Sequence, residues 1–301
     1  MSDPSSVKIS VSMIVKNESA CLATALQSVA DSDEIVVVDT GSDDDTIAIA
    51  EAHGATVHHG ERFQWCDNFS VSRNQSLDLC TGDWVLIIDA DEELRSGDMA
   101  KIRRACAATT AKALYFDLVS ASNPEQVHRS IRCFRRLPEI RWRGAIHNYL
   151  SCSEGEPVDA QITYGYSEAH KKDPDRALRI LSAEVGRYPE AARERYYLAR
   201  EYWYRNNYAE AIVHWREYLK VATWAPEMAD AWLMLARCHV ARGNLADARE
   251  ACLRAIQINT NFHEALVLMA SLTGPKNSRR WAEWAKTATN EDVLFVRSHP
   301  K

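Results

Sequence analysis

The chain has 301 residues, of which 46% are apolar and 26% charged, and its formal net charge is −6. This length allows two domains of ordinary size, and the apolar fraction is that of a globular protein. An acidic chain without a basic stripe is a poor candidate for nucleic-acid binding, so no nucleic-acid partner is expected. No apolar stretch reaches the roughly 18 residues that cross a bilayer, so no transmembrane segment is expected.

The first residues, MSDPSSVKIS, lack the basic and apolar regions of a signal peptide, which favours a cytoplasmic protein. Eight cysteines are scattered without a C-x-x-C pair, and Cys106, Cys238 and Cys252 lie in apolar or helical contexts. Reduced, buried thiols are therefore expected rather than a zinc site. A homo-oligomer is compatible with the sequence.

Charge divides the chain into two parts. Residues 1–167 hold 15 basic and 25 acidic side chains, whereas residues 168–301 hold 21 and 17. Six arginines within fifteen residues are a local exception in the first part, and they either meet a diphosphate or acidic acceptor or lie on a solvated strand face. These are Arg129, Arg132, Arg135, Arg136, Arg141 and Arg143.

The first part alternates strands and helices. Its β-α-β-α-β order predicts a parallel sheet, with antiparallel strands added later at one edge. Predicted strands cover residues 8–15, 34–38, 55–58, 85–88, 114–120, 130–134 and 141–150. Predicted helices cover residues 20–30, 46–53 and 98–108, and a further helix includes Arg73 and Asn74 on its polar face.

A cluster of acidic residues follows the most apolar strand. Residues 85–88 predict a strand buried on both faces, and the sequence DADEE follows from Asp89 to Glu93. Ligands of open α/β sheets collect at the carboxyl ends of strands, where Asp89 and Asp91 would share one face. That spacing suits one Mg²⁺ or Mn²⁺ carried by a diphosphate. The alternative is an acidic loop that opens a helix.

From about Asp173 the sequence predicts continuous amphipathic helix with a repeat near 37 residues. Ala211 and Ala248 occupy equivalent positions in two units, as expected where helices cross closely. A half unit at 177–189 precedes them and a degenerate unit at 262–288 follows, which together indicate a short helical solenoid. Prolines at unit spacing argue against a coiled coil, and they are Pro174, Pro189, Pro226 and Pro275.

Several stretches together resemble a known family. They are SMIVKNES, EIVVVDTGSDDDT, FQWCDNFSVSRN, TGDWVLIIDADEEL and RWRGAIHNYL. With them the first part resembles family 2 glycosyltransferases of the GT-A fold, an α/β domain with a Rossmann-like mixed sheet. The second part resembles an all-α tetratricopeptide repeat array, and a group that includes peptide S-glycosyltransferases combines the two. The resemblance implies a metal-dependent, inverting glycosyltransferase that uses a nucleotide-sugar donor.

The resemblance also implies roles for individual residues. A pocket for the nucleotide base and ribose would be lined by Val15, Asn17, Glu18 and Asp39. The diphosphate or donor sugar would be approached by Asp67, Arg73 and Asn74, while Asp89 would touch the ribose with Ala90 beside it. Asp91 and His147 would be the catalytic pair that holds Mn²⁺ or Mg²⁺. For His147, a purely structural role is the alternative.

Two departures leave the catalytic base unassigned. The family commonly has glutamate where this chain has Asn148, and an amide cannot accept a proton as a general base. A histidine often stands before Tyr-Gly-Tyr, where this chain has Thr163. The acids that remain as candidates are Glu92, Asp117 and Glu139.

The expected acceptor is a protein or peptide held by the repeat domain, with a saccharide or lipid-linked glycan as the alternative. The repeats are expected to present an unusual amount of aromatic surface, although aromatics in such arrays also form cores. The residues concerned are Arg195, Tyr196, Tyr197, Tyr204, Trp215, Trp224 and Trp232.

Two other functional classes were weighed against the transferase. Asn148 favours a non-catalytic adaptor, whereas the intact Asp89-x-Asp91 and Arg73-Asn74 oppose it. A nucleotidyltransferase would need a glycine-rich phosphate loop with a lysine after the first strand, and VKNES has no such run.

Overall fold

The computed structural model describes residues 7–165, 173–291 and 293. The chain divides into two compact units, residues 1–175 and 176–301. The boundary predicted at 167/168 lies outside the described residues, as does Tyr166. The first unit is α/β and the second is a run of helices, which confirms the predicted fold class. Within the described ranges, no helix is both long enough and apolar enough to cross a membrane.

Within the described residues of the first unit, there are ten strands and four helices. They are β1 (Ile9–Val15), α1 (Leu22–Ser28), β2 (Glu34–Asp39), α2 (Thr46–Ala52), β3 (Thr56–His58), α3 (Phe69–Leu79), β4 (Trp84–Ile87), β5 (Glu92–Leu94), α4 (Asp98–Ala108), β6 (Ala113–Ser120), β7 (Val127–Arg135), β8 (Trp142–Arg143), β9 (Tyr149–Leu150) and β10 (Glu156–Tyr164). A short 3-10 helix, Glu61–Phe63, precedes α3. The residues of β1, β2 and β4 are almost all buried, as their apolar sequences predict.

Eight of these strands form one mixed sheet in the order β3-β2-β1-β4-β7-β6-β10-β5. The first four are parallel to one another, and β7 runs antiparallel to both β4 and β6. The predicted parallel core with antiparallel additions is therefore confirmed. The carboxyl ends of β1, β2 and β4 consequently lie along one edge of the sheet.

The sheet curls so that β5 returns to the end of β4. Only residues 88–91 separate β4 from β5, yet three strands lie between them in the sheet order. A flat sheet would separate them by about 19 Å, four steps of strand spacing. The connecting turn is too tight for that span, because the Glu92 amide donates to the Asp89 carbonyl oxygen at 3.0 Å.

The prediction of one strand over residues 141–150 is wrong. β8 and β9 form a separate two-stranded sheet, and residues 144–148 form a loop between them. Gly144 and His147 both have positive φ, 86° and 49°, which an extended strand does not allow. β5 and β10 were not predicted from the sequence, and His147 lies in the loop and not inside a strand as predicted.

The second unit contains seven helices within residues 176–291. They are α5 (Arg176–Arg187), α6 (Ala192–Tyr204), α7 (Tyr208–Val221), α8 (Ala225–Ala241), α9 (Leu245–Ile258), α10 (His263–Leu272) and α11 (Pro275–Thr287). α6–α7 and α8–α9 are the two predicted units, α5 is the half unit, and α10–α11 is the degenerate one. Ala211 and Ala248 are both fully buried, as predicted for close helix crossings.

The first helix of each complete unit ends in the same way. Asn206 and Gly243, 37 positions apart, have left-handed φ values of 57° and 76°. The following amides, of Asn207 and Asn244, each donate at 2.9 Å to a carbonyl oxygen five residues earlier. The amides of Asn206 and Gly243 themselves donate to carbonyls three residues back, both at 2.9 Å. This pair of bonds is the Schellman motif.

The aromatic residues of the repeats divide between core and surface. Tyr196 and Trp215 are fully buried, so the expectation that they are presented to a ligand is wrong. Their rings pack edge to face, with centroids 5.1 Å apart, which fills the space between α6 and α7. Tyr204 and Trp224 are 55% and 54% exposed and remain available as surface.

A buried ion pair joins α6 to α8. Arg200 Nη1 lies 3.1 Å from Asp230 Oδ2, and the side chains are 10% and 4% exposed. The Tyr196 hydroxyl donates to the same carboxylate oxygen at 2.6 Å, and Arg200 Nη2 donates to the Tyr204 hydroxyl at 2.8 Å. Burial and the Asp230 charge raise the pKa of the Tyr196 hydroxyl, which therefore stays protonated as a donor.

The variant Asp230→Ala should destabilise the helical unit by about 3–5 kcal/mol, because Arg200 would be left buried without its counter-charge. Urea denaturation followed by far-UV circular dichroism measures the loss. The matched control is Glu217→Ala, which removes an exposed ion pair with Lys220 and should have a much smaller effect. Equal effects of the two variants would contradict the structural role of the buried pair.

Candidate active site

Three loops follow β1, β2 and β4 at the carboxyl edge of the sheet, and they are residues 16–21, 40–45 and 88–91. Two further loops, residues 64–68 and 144–148, are hydrogen-bonded to neighbouring elements. These five loops include seven of the eleven residues that the family resemblance selected. Val15 and Asp39 are the last residues of β1 and β2, and Arg73 and Asn74 lie on α3. This edge is where open α/β sheets bind ligands.

The loops after β1 and β2 are joined by hydrogen bonds. The Val15 carbonyl oxygen accepts from the amide and hydroxyl of Thr40, at 2.9 and 3.1 Å. The Glu18 amide donates to Thr46 Oγ1 at 2.8 Å, where α2 begins. The structure therefore brings Val15 and Glu18 next to the end of β2, as a shared pocket requires.

Asp39 and Asn17 fix the conformation of the same two loops. The Asp39 carboxylate, 2% exposed, accepts from the amides of Gly41 and Ser42 at 2.9 and 3.0 Å. Asn17 donates its amide to Ser42 Oγ at 2.8 Å, and its Oδ1 accepts from the Asp43 amide at 2.9 Å. Both side chains thus fix the backbone of the loops around the predicted base pocket. Their contacts with a nucleotide remain a prediction.

Cys21 lies beside this pocket but is not a reactive thiol. Burial, with a hydrogen bond from its thiol to Glu18, raises the pKa of Cys21 to about 12. The thiol is therefore protonated at neutral pH and is a poor nucleophile.

Residues 64–68 are tied to β2 and lead into α3. The Trp65 amide donates to the Thr40 carbonyl oxygen at 3.0 Å, and the Trp65 indole donates to Asp67 Oδ1 at 2.8 Å. The Trp65 ring packs against Phe69, with centroids 4.7 Å apart. Asp67 is placed at the same edge as the β2 loop, which agrees with its predicted side of the donor.

Helix α3 fixes the loop that contains His147. Its N-cap, Asn68, accepts from the Val71 amide at 3.1 Å. The Phe69 amide donates to the Ala145 carbonyl oxygen at 2.8 Å, and the Ser70 hydroxyl donates to the Gly144 carbonyl oxygen. The first turn of α3 therefore sets the path of residues 144–148.

Asn74 clamps β8 with both ends of its amide. Its Nδ2 donates to the Trp142 carbonyl oxygen at 3.1 Å, and its Oδ1 accepts from the Trp142 amide at 3.0 Å. The sequence analysis placed Asn74 near the donor. In the structure its contacts are with the backbone of Trp142, so any effect on the donor acts through β8 and its loop.

Arg73 reaches the acidic turn. Its Nη2 donates to both carboxylate oxygens of Asp89, at 2.8 and 3.0 Å, and its side chain is 12% exposed. The guanidinium lies 4.9 Å from the ring centroid of Trp142, a cation–π contact. Arg73 and Asp89, which were predicted separately, are therefore direct partners.

Asp89 and Glu92 close the turn after β4 with two hydrogen bonds. The Asp89 amide donates to Glu92 Oε2 at 2.9 Å, and the Glu92 amide donates to the Asp89 carbonyl oxygen at 3.0 Å. Arg132 from β7 donates to both oxygens of Glu92, at 2.6 and 3.0 Å. Burial raises the pKa of Glu92 to about 7 although the charge of Arg132 opposes the shift.

Asp91 and His147, the predicted metal ligands, lie on two of these loops. The Asp91 carbonyl oxygen accepts from the Gly165 amide at 2.9 Å, its side chain is half-buried, and Ala90 beside it is 5% exposed. His147 is exposed. Over the described ranges, no group of three or more His, Cys, Asp or Glu side chains is arranged to hold a metal ion.

Three residues with left-handed backbone mark this edge of the sheet. Asn17, Asp67 and His147 have φ values of 57°, 56° and 49°. Non-glycine residues rarely adopt this conformation, which costs about 1–3 kcal/mol, and it concentrates at functional sites. In the described part of the first unit, every such residue lies in one of the five loops.

The three candidate bases lie in different places. Glu139 pairs with Lys112, which precedes β6, so it lies at the opposite edge of the sheet from the five loops. Asp117, in the middle of β6, pairs with Arg129 near the start of β7, and both side chains are exposed. Glu92 is 5% exposed and both of its oxygens accept hydrogen bonds. The geometry thus removes Glu139 and disfavours Glu92.

The arginine run is mostly structural. Arg135 and Arg136 donate to backbone carbonyl oxygens, and Arg141 pairs with Asp78. Arg132 is the member that reaches the acidic turn, and the sequence analysis did not single it out. Trp142, which supports Arg73, was missed as well. The antiparallel register of β7 on β4 brings Arg132 to the turn. Spacing along the sequence alone does not predict that register.

Two family models each match part of one unit. The family model described as Glycosyl transferase family 2 matches residues 10–147, and the model described as Tetratricopeptide repeat matches residues 196–261. The five loops lie within or next to the first match. The predicted resemblance to a family 2 glycosyltransferase followed by tetratricopeptide repeats is therefore confirmed.

Relatives resemble parts of the chain. A TPR repeat-containing protein of Synechococcus elongatus is 39% identical over 149 residues, 48% of this chain and 36% of that protein. An uncharacterized glycosyltransferase of Rickettsia conorii is 48% identical over 88 residues, 29% of this chain and 30% of that protein. This chain thus spans about a third of each relative. Among solved structures, S. aureus TarS in complex with UDP aligns over 88% of this chain and 90% of that chain, with a TM-score of 0.44 and 14% identity.

Asn74→Ala should loosen β8 and the loop after it, because two buried backbone groups of Trp142 would lose their partner at a cost of about 1–3 kcal/mol each. Hydrogen–deuterium exchange of residues 141–148 measures the change. The neighbouring variant Gln75→Ala removes one exposed bond to the Arg62 carbonyl and is the matched control. Unchanged exchange in Asn74→Ala would contradict the clamp.

Proposed function

We propose that this chain, whose residues 10–147 form a glycosyl transferase family 2 domain, transfers a sugar from a nucleotide-sugar donor to an acceptor with inversion at the anomeric carbon. The observation that supports this best is the turn after β4. It places Asp89 and Asp91 at the carboxyl edge of a parallel sheet, where Arg73 pairs with Asp89 and Arg132 pairs with Glu92. An acidic pair supported by cations suits a ligand that combines a metal and a diphosphate.

The donor atoms at the turn fit a hard divalent cation shared with the diphosphate. Mg²⁺ and Mn²⁺ prefer oxygen ligands and often take only one or two from the protein. The family resemblance assigns Asp91 to the metal, with His147 as the second protein ligand, and Asp89, which is bound to Arg73, to the ribose. When bound, the cation would stabilise the charge of the departing diphosphate.

The protein residues around the turn bind and orient the donor. Asp89, oriented by Arg73, would accept hydrogen bonds from the ribose. Asn17 and Asp39 shape the loops that would enclose the base, because their side chains already fix the backbone there. Asp67 faces the same edge from the loop before α3. Of the acids weighed as base, Asp117 is the one at this edge with solvent access, its side chain being 44% exposed.

Asp91→Asn should reduce sugar transfer by at least about a hundredfold, because it removes the carboxylate charge assigned to the cation. The fold should be unaffected, since the residue lies at the end of a strand. Transfer or donor hydrolysis is measured with Mn²⁺ titrated against a chelator. Equal turnover of the wild type with excess chelator would contradict metal dependence.

Glu93→Gln is the matched control for this experiment. Glu93 is two residues further on and exposed, and it lies outside the network around Asp89. Its loss of charge tests whether any acidic residue of the DADEE sequence affects the rate. Comparable losses in both variants would show a general electrostatic effect rather than a ligand.

We further propose that the acceptor is a polypeptide bound by the repeats. Helical repeat arrays present extended surfaces that hold extended chains, and binding there raises the effective acceptor concentration at the transferase domain. Tyr204 and Trp224 support this, since both are more than half exposed on the described helical unit. A saccharide or lipid-linked glycan is the alternative acceptor.

Incubation of the full chain with native-cell extract and labelled nucleotide sugar should place the label on protein. Intact-mass analysis is expected to show a protein heavier by one sugar residue, and the double variant Tyr204→Ala/Trp224→Ala should label it more slowly. Label found only in a glycan or lipid fraction would contradict the polypeptide acceptor. Donor binding without any transfer would favour the non-catalytic adaptor.

A further inference from the structure

We infer that Glu92 and Arg132 are positioning residues that hold the turn after β4 in the conformation in which Asp89 meets the nucleotide. The expected effect on nucleotide binding rests on the proposed function, whereas the role of the two residues in holding the turn does not. It assigns to Glu92 a role different from the general base considered from the sequence. Three features of the structure support it.

The first feature is that Glu92 holds Asp89 through the backbone. Its carboxylate accepts from the Asp89 amide at 2.9 Å, and its own amide donates to the Asp89 carbonyl oxygen at 3.0 Å. These reciprocal bonds enclose Ala90 and Asp91 in a four-residue turn. The directions of both aspartate side chains therefore depend on the position of the Glu92 carboxylate.

The second feature is that Arg132 fixes that carboxylate from a neighbouring strand. Arg132 lies on β7, which is next to β4 in the sheet. It makes a two-pronged contact with Glu92, with Nη2 to Oε1 at 2.6 Å and Nη1 to Oε2 at 3.0 Å. Such a planar fork fixes orientation as well as distance. Its Nη1 is 3.9 Å from Asp89 Oδ2, so its hydrogen bonds reach Glu92 rather than Asp89.

The third feature is burial. Glu92 is 5% exposed and the Arg132 side chain is 14% exposed, so neither group is open to an acceptor molecule. Both oxygens of Glu92 are already hydrogen-bonded. A general base must reach the acceptor proton within hydrogen-bond distance, directly or through one water. A buried, fully paired carboxylate suits a support of the turn instead.

A double-mutant cycle of Glu92→Gln and Arg132→Gln tests the inference. In the protein without ligand, hydrogen–deuterium exchange of the Asp89 and Glu92 amides should become about tenfold faster in each single variant. Arg135→Gln is the control, because Arg135 lies on the same strand but pairs with Trp84 at the opposite edge and donates to other carbonyls. It should leave these two amides unchanged.

Nucleotide affinity provides the second measurement. Calorimetry with UDP, GDP, CDP and ADP in the presence of Mn²⁺ identifies the nucleoside diphosphate that the wild type binds. Each single variant should weaken its affinity about tenfold, and the double variant should be no weaker than the weaker single variant, since both residues act through one support. Arg132→Lys, which keeps the charge but not the fork, should retain the melting temperature while still weakening affinity.

Several outcomes would overturn the inference. Unchanged exchange at both amides would show that the pair does not hold the turn. Additive losses of affinity in the double variant would show that Arg132 contacts the nucleotide itself. Lost turnover in Glu92→Gln with normal affinity and exchange would make Glu92 the base. If the wild type binds no nucleoside diphosphate, the proposed function fails, and the exchange measurement alone decides whether Glu92 and Arg132 hold the turn.

Discussion

The arrangement of the first unit depends on the compensation of charge at the end of β4. A buried strand ends there in a run of acids, and carboxylates in a low-dielectric setting repel one another and lose hydration. The chain answers with two guanidinium groups, Arg73 from α3 and Arg132 from β7. Through these ion pairs, α3 and β7 both contact the turn. The requirement for counter-charge therefore decides which elements surround the site.

Helix α3 connects this charge compensation to the other loops. Ser70, Arg73 and Asn74, all in its first two turns, bind the 144–148 loop, the acidic turn and β8 respectively. Because a helix is rigid over this length, a shift in any one contact would move the others. The left-handed residues Asn17, Asp67 and His147 are tolerable in this setting, since the surrounding hydrogen bonds fix the loops in which they lie.

The sequence was sufficient where the signal was local. The buried run at 85–88 and the acids after it predicted where a strand ends, and the apolar periodicity of β1 and β2 predicted the parallel sheet. The ligand site at that strand end stays a prediction. The sequence was insufficient where the structure depends on which strands pair with one another. The partner of Glu92 comes from a strand forty residues away, and β10 joins the sheet although its sequence, EPVDAQITY, has no continuous apolar run. In the repeats, composition showed many aromatics, but only packing separates buried Trp215 from exposed Trp224.

The matching turns of the two complete repeats have a consequence for how such an array can grow. Asparagine at 206 and glycine at 243 end their helices with the same pair of hydrogen bonds. This pair of hydrogen bonds involves only the end of the helix and the residues directly after it. Each 37-residue cassette, meaning one repeat unit, therefore contains the residues that end its own first helix. Duplication or loss of one cassette would lengthen or shorten the array without altering the chain direction at either junction. An inserted residue inside a helix would instead rotate the rest of that helix by about 100° and turn its buried side chains away from the neighbouring helices.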